Sequence, residues 1–343
     1  MVTLPRMTEH RIGLIGCGWV APFHLAGLTK LGRQAEIAWV ADPDQDHARA
    51  LARDAGVRAL ADYRAGLQDI DCAFILVPHH LHKEVTVNCL TAGCHVLLEK
   101  PIANSLTDTD AMIAVAEQTR KTFMVAYPHR YKRSFRLFKQ TIESGRYGKL
   151  IMLDSLIDDS VEGYLAEWMT RKYTLGGGCL FSASGHQLDI MLWISGDVQA
   201  AYMVGTRGRV PMEGEDTAAC VIKFKNGSIG VVRHTWASPQ VRVWYTMEAM
   251  CEKAHITLTC TPLGDQNTEG VRCRWQTRIV AQGSKDELLL ESGEGLDLAP
   301  EIAHFFECVD TGRRPETDGH MARKVSAVVL DAYHRAAQDD ANI

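Results

Sequence analysis

Short apolar runs alternate with amphipathic, helix-like segments over the first 126 of the 343 residues. The apolar runs are Ile12–Ile15, Ile37–Ala41, Asp71–Val77, Cys94–Leu98 and Thr122–Ala126, and the helix-like segments between them are Trp19–Leu31, Asp44–Ala55, Leu81–Ala92 and Leu106–Thr119. Apolar strands separated by helices are typical of βαβ units, in which helices cover both faces of a parallel sheet. The alternation therefore predicts an α/β Rossmann domain, a doubly wound parallel sheet, over residues 1–127.

The pattern changes after residue 127, where strands begin to follow one another directly. Helices are predicted at 134–143, 300–311 and 320–337, and another follows the Gly176–Gly178 turn and runs through Trp193. The predicted strands include Leu150–Ile157, Thr217–Phe224 and Ser228–Ala237. Lys225-Asn226-Gly227, between the last two strands, is a hairpin signal. Residues 128–343 are therefore predicted to form an α+β domain with a large open, mainly antiparallel sheet.

The composition excludes several classes of protein. Hydrophobic residues make up 46% and charged residues 23%, and the formal net charge is −5, with no basic block that would indicate a nucleic-acid partner. No apolar run approaches the roughly 20 residues of a membrane span, and Met1–Arg11 lacks the apolar core of a secretory signal. The ten cysteines form no CxxC pair and are interpreted as reduced structural thiols. We expect a cytoplasmic protein without a membrane partner.

A glycine-rich turn follows the first predicted strand and opens the first helix. Gly16-Cys17-Gly18-Trp19-Val20-Ala21 matches the pattern GxGxxG/A. In such a turn the first glycine permits a tight bend, the second lets the backbone approach a pyrophosphate, and the helix N-terminus attracts the phosphates. The turn predicts a dinucleotide site in which Gly16, Gly18, Trp19 and Val20 contact the cofactor.

Asp42 stands at the end of the second predicted strand. A carboxylate there accepts hydrogen bonds from the adenosine ribose hydroxyls and repels a 2′-phosphate, which favours NAD over NADP. The alternative is that Asp42 caps the next helix, although Asp44 is the better cap in Asp42-Pro43-Asp44.

Three further motifs point to a known family. They are Pro78-His79-His80-Leu81-His82-Lys83-Glu84, Ala92 through Glu99-Lys100-Pro101, and Gly176-Gly177-Gly178 through His186, Asp189 and Gly196. In order and spacing they resemble the Gfo/Idh/MocA oxidoreductases, which include glucose–fructose oxidoreductase and inositol dehydrogenase. The resemblance implies a nicotinamide cofactor and a sugar or cyclitol substrate.

The resemblance also assigns roles to individual residues. It implies that Lys100 hydrogen-bonds the nicotinamide ribose and the reacting hydroxyl, that His186 is the acid–base, and that Glu99 contacts the nicotinamide region. Asp189, one turn after His186, would orient that histidine or bind substrate. The alternatives are a surface lysine at 100, a structural histidine at 186 and a solvated carboxylate at 189.

The chain departs from the family pattern at several positions. Ser182 replaces an aspartate, Ser184 a glycine and His79 an asparagine, and the segment Pro128–Arg133 keeps only Arg130 and an aromatic residue. These changes affect the substrate more than the fold, and Asp158 or Asp159 is a hypothetical replacement for the carboxylate missing at 182. The predicted substrate-binding residues are Lys100, Arg130, Ser182, His186 and Asp189.

Two clusters allow competing interpretations. The histidines at 79, 80 and 82 do not match a zinc template, so Pro78, His79 and His82 are predicted to line the cofactor loop, and no metal is expected. The cations at 130, 132, 133 and 136 would either attract an acidic substrate or form a solvated helix start.

The sequence leaves three functions open: a dehydrogenase or ketoreductase, a glycoside-cleaving enzyme that retains its NAD, and a non-catalytic NAD(P)-binding regulator. A homodimer or homotetramer formed through the C-terminal sheet is also expected, because an open sheet exposes one face. The second hairpin strand mixes apolar and polar residues on both faces, so its alternation does not identify the exposed one.

Overall fold

The computed structural model describes residues 10–32, 35–263, 273–282, 285–293 and 295–340. It divides the chain into two compact units. The first consists of the residues up to Pro128 together with Asp297–Arg323, and the second of His129–Leu296 together with the residues from Lys324 onward.

A six-stranded parallel sheet forms the centre of the first unit. Its strands are β1 (His10–Ile15), β2 (Ala35–Ala41), β3 (Arg58–Leu60), β4 (Cys72–Ile75), β5 (His95–Glu99) and β6 (Phe123–Ala126). They lie in the order β3-β2-β1-β4-β5-β6, and every pair is parallel. This is the Rossmann order, in which ligands bind beyond the carboxyl ends of the strands. The predicted fold class of the first domain is confirmed.

Helices connect these strands, and local chemistry fixes several of their ends. They are α1 (Ala21–Leu31), α2 (Gln45–Ala55), α3 (His82–Thr91) and α4 (Leu106–Thr119). Asp44 caps α2 by accepting hydrogen bonds from two backbone amides, and Ser105 caps α4 by accepting one from the amide of Asp108. Gly56 ends α2 at φ 69°, a left-handed conformation that glycine adopts without steric cost.

A segment near the end of the chain also belongs to the first unit, which the sequence prediction did not include. Thr317 pairs with the edge strand β6: its carbonyl oxygen accepts a hydrogen bond of 2.8 Å from the amide of Val125, and its hydroxyl donates one of 2.7 Å to the carbonyl oxygen of Val125. Helix α10 (Ala299–Thr311) packs against α1, where a side chain at Gly27 would meet Ile302. These contacts join residues far apart in sequence, so local periodicity does not indicate them.

An eight-stranded sheet forms the centre of the second unit. Its strands are β7 (Leu150–Asp158), β8 (Val198–Thr206), β9 (Thr217–Phe224), β10 (Ile229–Thr235), β11 (Tyr245–Cys251), β12 (Ala254–Pro262), β13 (Cys273–Ala281) and β14 (Glu287–Ser292), in the order β14-β13-β12-β11-β7-β10-β9-β8. All neighbours are antiparallel except β7 and β10, which are parallel. The predicted mainly antiparallel sheet is confirmed.

The helices of the second unit depart in detail from the prediction. They are α5 (Arg133–Glu143), α6 (Glu167–Thr170), α7 (Lys172–Leu175), α8 (Cys179–Ser182), α9 (Gly185–Ser195) and the greater part of α11 (Gly319–Asp340). The helix predicted after the glycine turn is interrupted at residues 183–184, and α6 and α7 were not predicted. Short helices such as these are held by tertiary contacts, because four residues cannot sustain a helix alone.

The structure decides which face of the sheet is covered. Val232, His234 and Trp236 are buried, whereas Ile229 on the other face is exposed. Tyr202 and Val204 of β8 and Val221 of β9 are exposed on the same face as Ile229; Val204 retains 74% of its accessible surface. Within the described part of the chain, none of the helices combines the length and the apolar character needed to cross a bilayer.

Candidate active site

The glycine turn between β1 and α1 has the geometry that a phosphate site requires. Gly16 adopts φ 98°, and a Cβ there would lie 2.5 Å from the carbonyl oxygen of Leu76. A Cβ at Gly18 would meet nothing within 4 Å, so the backbone at Gly18 borders open space. Val20, the N-cap of α1, makes no side-chain capping bond. The positive end of α1 is therefore left for an anion.

Asp42 ties this turn to the end of β2. Its Oδ2 accepts a hydrogen bond of 2.8 Å from the amide of Cys17, and its Oδ1 accepts one of 2.8 Å from the amide of Asp44. The helix cap is Asp44, so the alternative in which Asp42 caps α2 is wrong. A carboxylate has about four lone-pair directions, so two accepted bonds leave capacity for ribose hydroxyls. Burial and the charge of Asp42 raise the pKa of the Cys17 thiol to about 12.

The loop after β4 holds His79 and His82 inside the domain. Nδ1 of His82 lies 2.8 Å from the carbonyl oxygen of Pro101, and Nε2 lies 2.9 Å from that of Val77. Burial lowers the pKa of His82, although the two carbonyl contacts oppose that effect. His79 is also buried, with its ring centroid 5.5 Å from that of His82. His82 is fully buried, and its ring holds together the loops that follow β4 and β5; its place in the cofactor loop stays a prediction.

Glu99 and Lys100 stand where β5 ends. Oε2 of Glu99 accepts a hydrogen bond of 3.1 Å from the amide of Lys100, and Oε1 lies 3.0 Å from Nε2 of His24 on α1. Burial alone would raise the pKa of Glu99, but the hydrogen bond from His24 and the charge of Lys100 outweigh it and lower that pKa. The sequence analysis missed His24, although a histidine on the buried face of α1 is a usable signal.

Lys100 is half-buried in this position. Removal from water lowers the pKa of its ammonium group, while the negative charge of Glu99 raises it, and the first effect is the larger. The peptide bond between Lys100 and Pro101 is cis. The neighbouring carboxylate therefore moderates the loss of charge that burial imposes on the lysine.

In the second unit, Arg130 and Asp189 form a buried pair. Nε and Nη2 of Arg130 each lie 2.8 Å from a carboxylate oxygen of Asp189, and the side chains are 4% and 1% exposed. The guanidinium also lies over the ring of Trp193, 5.3 Å from its centroid. Asp189 is thus not a solvated helix-face residue. Because two hydrogen bonds satisfy the carboxylate internally, this geometry supports a structural role for the pair more than direct substrate contact.

His186 lies on α9 and is partly buried. Its ring centroid is 5.0 Å from that of His129, which stacks on Phe135 at 4.6 Å. Burial, then the charges of Lys132 and His186, hold the pKa of His129 well below its usual value. The neighbour of His186 is therefore an uncharged imidazole, which does not compete with it for a proton near neutral pH.

Two of the four cations at the start of the second unit, Arg130 and Lys132, are buried and do not face solvent. Arg130 is paired with Asp189, and Lys132 is buried with its Nζ 4.6 Å from the centroid of Trp275. Of the two interpretations left open by the sequence, the solvated start is wrong for these two cations.

The two serines that replace family residues are both buried. Oγ of Ser184 lies 3.1 Å from Nδ1 of His234, and Oε1 of Gln187 lies 3.3 Å from the same nitrogen. Ser182 ends α8 and is 4% exposed. The hydroxyl at 184 thus belongs to a polar network inside the domain, which the sequence analysis did not foresee.

Glu215 and Tyr333 hold the glycine turn that precedes α8. Oε1 of Glu215 accepts a hydrogen bond of 3.1 Å from the amide of Leu180, and the hydroxyl of Tyr333 accepts one of 3.1 Å from the amide of Gly178. A Cβ at Gly178 would overlap Glu215 at 2.3 Å. These two residues, distant in sequence, therefore fix the start of the segment that contains Ser182 and His186.

Asp159 was one of two hypothetical replacements for the missing carboxylate. Its carboxylate accepts hydrogen bonds from the hydroxyl of Tyr164 and from the amide of Ser160. Burial raises the pKa of Asp159, and the nearby charge of Asp158 adds to this increase. The replacement stays a hypothesis.

Two family models together match most of the described chain. Residues 10–127 match the model described as "Oxidoreductase family, NAD-binding Rossmann fold", and residues 135–257 match the C-terminal domain of the same GFO/IDH/MocA family. The chain belongs to the Gfo/Idh/MocA oxidoreductase family. The resemblance drawn from the sequence motifs is confirmed, and residues 10–127 form its NAD-binding Rossmann domain.

Individual relatives are distant. Myo-inositol 2-dehydrogenase of Thermotoga maritima is 27% identical over 230 residues, 65% of this chain and 67% of that protein. Three curated relatives are matched over 61–67% of their own length. Among solved structures, levoglucosan dehydrogenase in complex with NADH has a TM-score of 0.81 at 21% identity, covering 96% of this chain and 97% of that one. The WlbA dehydrogenase of Bordetella pertussis, in complex with NADH and UDP-GlcNAcA, has a TM-score of 0.79 at 21% identity, covering 97% and 98%. At these identities the structures support the fold.

Proposed function

We propose that this protein is an NAD-dependent oxidoreductase that transfers hydride between the nicotinamide and a secondary hydroxyl or ketone of a sugar, amino sugar or cyclitol. The main support is the pair Glu99–Lys100 at the carboxyl end of β5, in the same domain as an open glycine turn at Gly16–Val20. The names of relatives that act on inositol and levoglucosan support the substrate class.

The residues of the first unit fit the dinucleotide. Gly18 borders open space and α1 presents an uncapped N-terminus, so Gly16 through Val20 would hold the pyrophosphate. Asp42 would accept the ribose hydroxyls and repel a 2′-phosphate, which favours NAD over NADP. Pro78 and His79 would support the adjoining loop. When bound, the nicotinamide supplies the hydride acceptor or donor.

Lys100 and His186 are proposed to act on the substrate oxygen. An ammonium group at Lys100 would hydrogen-bond the hydroxyl and stabilise negative charge that develops on its oxygen. Burial lowers the pKa of this lysine, which brings it closer to the range in which a group gives and takes protons. His186, beside the uncharged ring of His129, would exchange the hydroxyl proton.

Ser182 is proposed to alter the substrate specificity within this class. A hydroxyl gives one donor and two acceptors, whereas the carboxylate found in the family accepts only and is charged. Contacts made through Ser182 would therefore be weaker to substrate hydroxyls and more tolerant of an acidic substrate. We expect uronates or other anionic sugars to be accepted better than by enzymes with the carboxylate.

NADH absorbance is the first test of the proposal. The purified protein is mixed with NAD or NADP and a panel of sugars, amino sugars, uronates and inositols, and the wild type is compared with Lys100→Ala. We expect substrate-dependent NADH formation that falls by about 10²- to 10⁴-fold in the variant. Lys83→Ala is the matched control, because Lys83 belongs to the same domain and forms an exposed pair with Asp108.

The other two candidate functions give different results in this test. A glycoside-cleaving enzyme that retains its NAD would release product from a glycoside without net NADH formation, and Lys100→Ala would abolish that release. A regulator would bind NADH and show no turnover in either protein. Either result would replace the proposed dehydrogenase.

We also propose that the exposed face of the eight-stranded sheet forms a homodimer interface. Tyr202, Val204, Val221 and Ile229 form an apolar surface at one end of this face, and Arg233 pairs with Asp154 beside it. A surface that presents both charges and apolar groups is suited to a second copy of itself. Sedimentation of Val204→Lys against wild type tests this, since a buried lysine would shift the protein toward the monomer.

A further inference from the structure

His24 is buried in α1 and contacts the carboxylate beside Lys100. Its Nε2 lies 3.0 Å from Oε1 of Glu99, and the ring is 0% exposed. The imidazole stands edge-on to Phe74, with ring centroids 5.8 Å apart at 80°. In this packing Nε2 faces the carboxylate of Glu99.

The surroundings of the second ring nitrogen define the tautomer. Nδ1 of His24 is buried and has no hydrogen-bond partner among the described residues. A proton on Nδ1 would be a buried, unsatisfied donor, which is costly, whereas a bare lone pair costs less. Nε2 therefore carries the hydrogen that is donated to Oε1 of Glu99.

The carboxylate of Glu99 also contacts the backbone of the next residue, Lys100. Because Oε1 of Glu99 is held by His24, Oε2 is directed at the backbone amide of Lys100, 3.1 Å away. We infer that His24 is a positioning residue: it orients Glu99, and Glu99 fixes the backbone from which the Lys100 side chain extends. This inference rests on the proposed function only for its catalytic consequence.

Exchange of the Lys100 amide hydrogen tests the positioning without turnover. Protein labelled with ¹⁵N-lysine is compared as wild type, His24→Leu and His24→Gln. The leucine fills the space without donating, and the glutamine amide restores a donor near the position of Nε2. We expect Lys100 exchange to become about 5- to 10-fold faster in His24→Leu, the effect of one lost hydrogen bond, and to recover in His24→Gln.

A matched control exists in the same domain. His10 is buried, and its Nε2 lies 2.9 Å from Oδ1 of Asp310. His10→Leu therefore removes a comparable histidine–carboxylate bond that does not involve Glu99, and Lys100 exchange should stay within about twofold of wild type in this variant. If His24→Leu does not fold, His24→Asn replaces it, since the shorter amide does not reach Glu99. Equal Lys100 exchange in the His24 and His10 variants would overturn the inference.

The kinetic readout separates this inference from the proposed function. With a substrate that the wild type oxidises, His24→Leu should lower kcat about tenfold, with KM within about twofold, because misplacement of a reacting group affects the reaction step more than binding. Unchanged kcat alongside faster Lys100 exchange would mean that the backbone position is not needed for turnover, and the inferred catalytic consequence would fail. If the wild type oxidises nothing while exchange responds as expected, the proposed function fails and the positioning stands.

Discussion

The guanidinium of Arg130 binds the carboxylate of Asp189 through two hydrogen bonds of 2.8 Å, with both side chains buried. A bidentate pair of this kind is stable because each charge compensates the other away from water. Removal of one partner leaves an uncompensated buried charge. Two residues that the motifs assigned to substrate binding thus depend first on one another.

Asp189→Asn is expected to destabilise the protein by about 3–5 kcal/mol, the usual effect of breaking a buried ion pair from one side. Chemical unfolding would measure this. The control is Asp154→Asn, whose pair with Arg233 is partly exposed and should contribute less than about 1 kcal/mol. A variant at Asp189 that loses activity but unfolds like the control would show that the carboxylate contacts substrate directly.

Gly16 and Gly18, the two glycines of the turn between β1 and α1, should respond differently to substitution by alanine. Gly16→Ala forces a Cβ against the carbonyl of Leu76 at φ 98°, so we expect a loss of about 1–3 kcal/mol of unfolding free energy. Gly18→Ala meets no protein atom and should keep the stability while weakening NADH affinity. Thermal unfolding and NADH fluorescence titration measure the two effects, and equal NADH affinity in Gly18→Ala and wild type would contradict the proposed pyrophosphate site.

Asp42→Ala is expected to reduce the preference for NAD over NADP, because it removes the charge that repels a 2′-phosphate. The ratio of kcat/KM for the two cofactors is the measurement. Asp44→Ala is the matched control: it removes the cap of α2 and should cost about 1 kcal/mol of stability without altering cofactor choice. A change of preference in the control variant instead would assign the selectivity to α2.

Stability should fall as the pH drops from 6.5 toward 4, partly because of His95. Burial, then the charge of Lys121, lowers the pKa of His95 to about 4, and Nδ1 accepts a hydrogen bond of 3.0 Å from the amide of Thr122. The unfolded chain, with a histidine pKa of about 6.5, binds the proton first, so the stabilisation is complete above pH 6.5 and is lost below it. We expect His95 to account for about 2 kcal/mol of this loss, since each unit of pKa difference is about 1.4 kcal/mol and partial solvation reduces the total.

His95→Asn supplies the comparison for this pH effect. The asparagine oxygen can accept the Thr122 amide but does not titrate, so its stability should depend less on pH between 6.5 and 4. Burial lowers the pKa of His82 and His129 in the same direction, so part of the slope should remain. If the unfolding free energy of His95→Asn fell with pH as steeply as that of the wild type, His95 would not contribute to the pH dependence of stability.

Local sequence predicted most of the cofactor domain because its signals are short-range, but it did not predict the short strand β3 or the later segment Asp297–Arg323. The βαβ alternation and the Gly16–Val20 turn depend on residues that are close together in the chain, which is enough to predict a parallel, doubly wound sheet. The cap at Asp44 was also readable from three adjacent residues. The family motifs correctly indicated which residues stand near the end of β5.

The substrate domain was less predictable because its side chains are fixed by distant partners. Gly178 is held by Glu215 and Tyr333, and Ser184 contacts His234. No window of sequence links these positions. The same separation explains why the burial of Arg130 and Lys132 was missed: a basic run looks solvated until the residues packed on it are known.

The sequence by itself determined the Rossmann fold class, the dinucleotide turn and the family, since these depend on periodicity and on residues close together in the chain. Only the tertiary structure decided that Asp189 pairs with Arg130, that His24 reaches Glu99, and which face of the large sheet is left exposed. Such contacts depend on which elements become neighbours in space. Packing of the whole domain determines which elements are neighbours, and this cannot be predicted from individual segments of sequence.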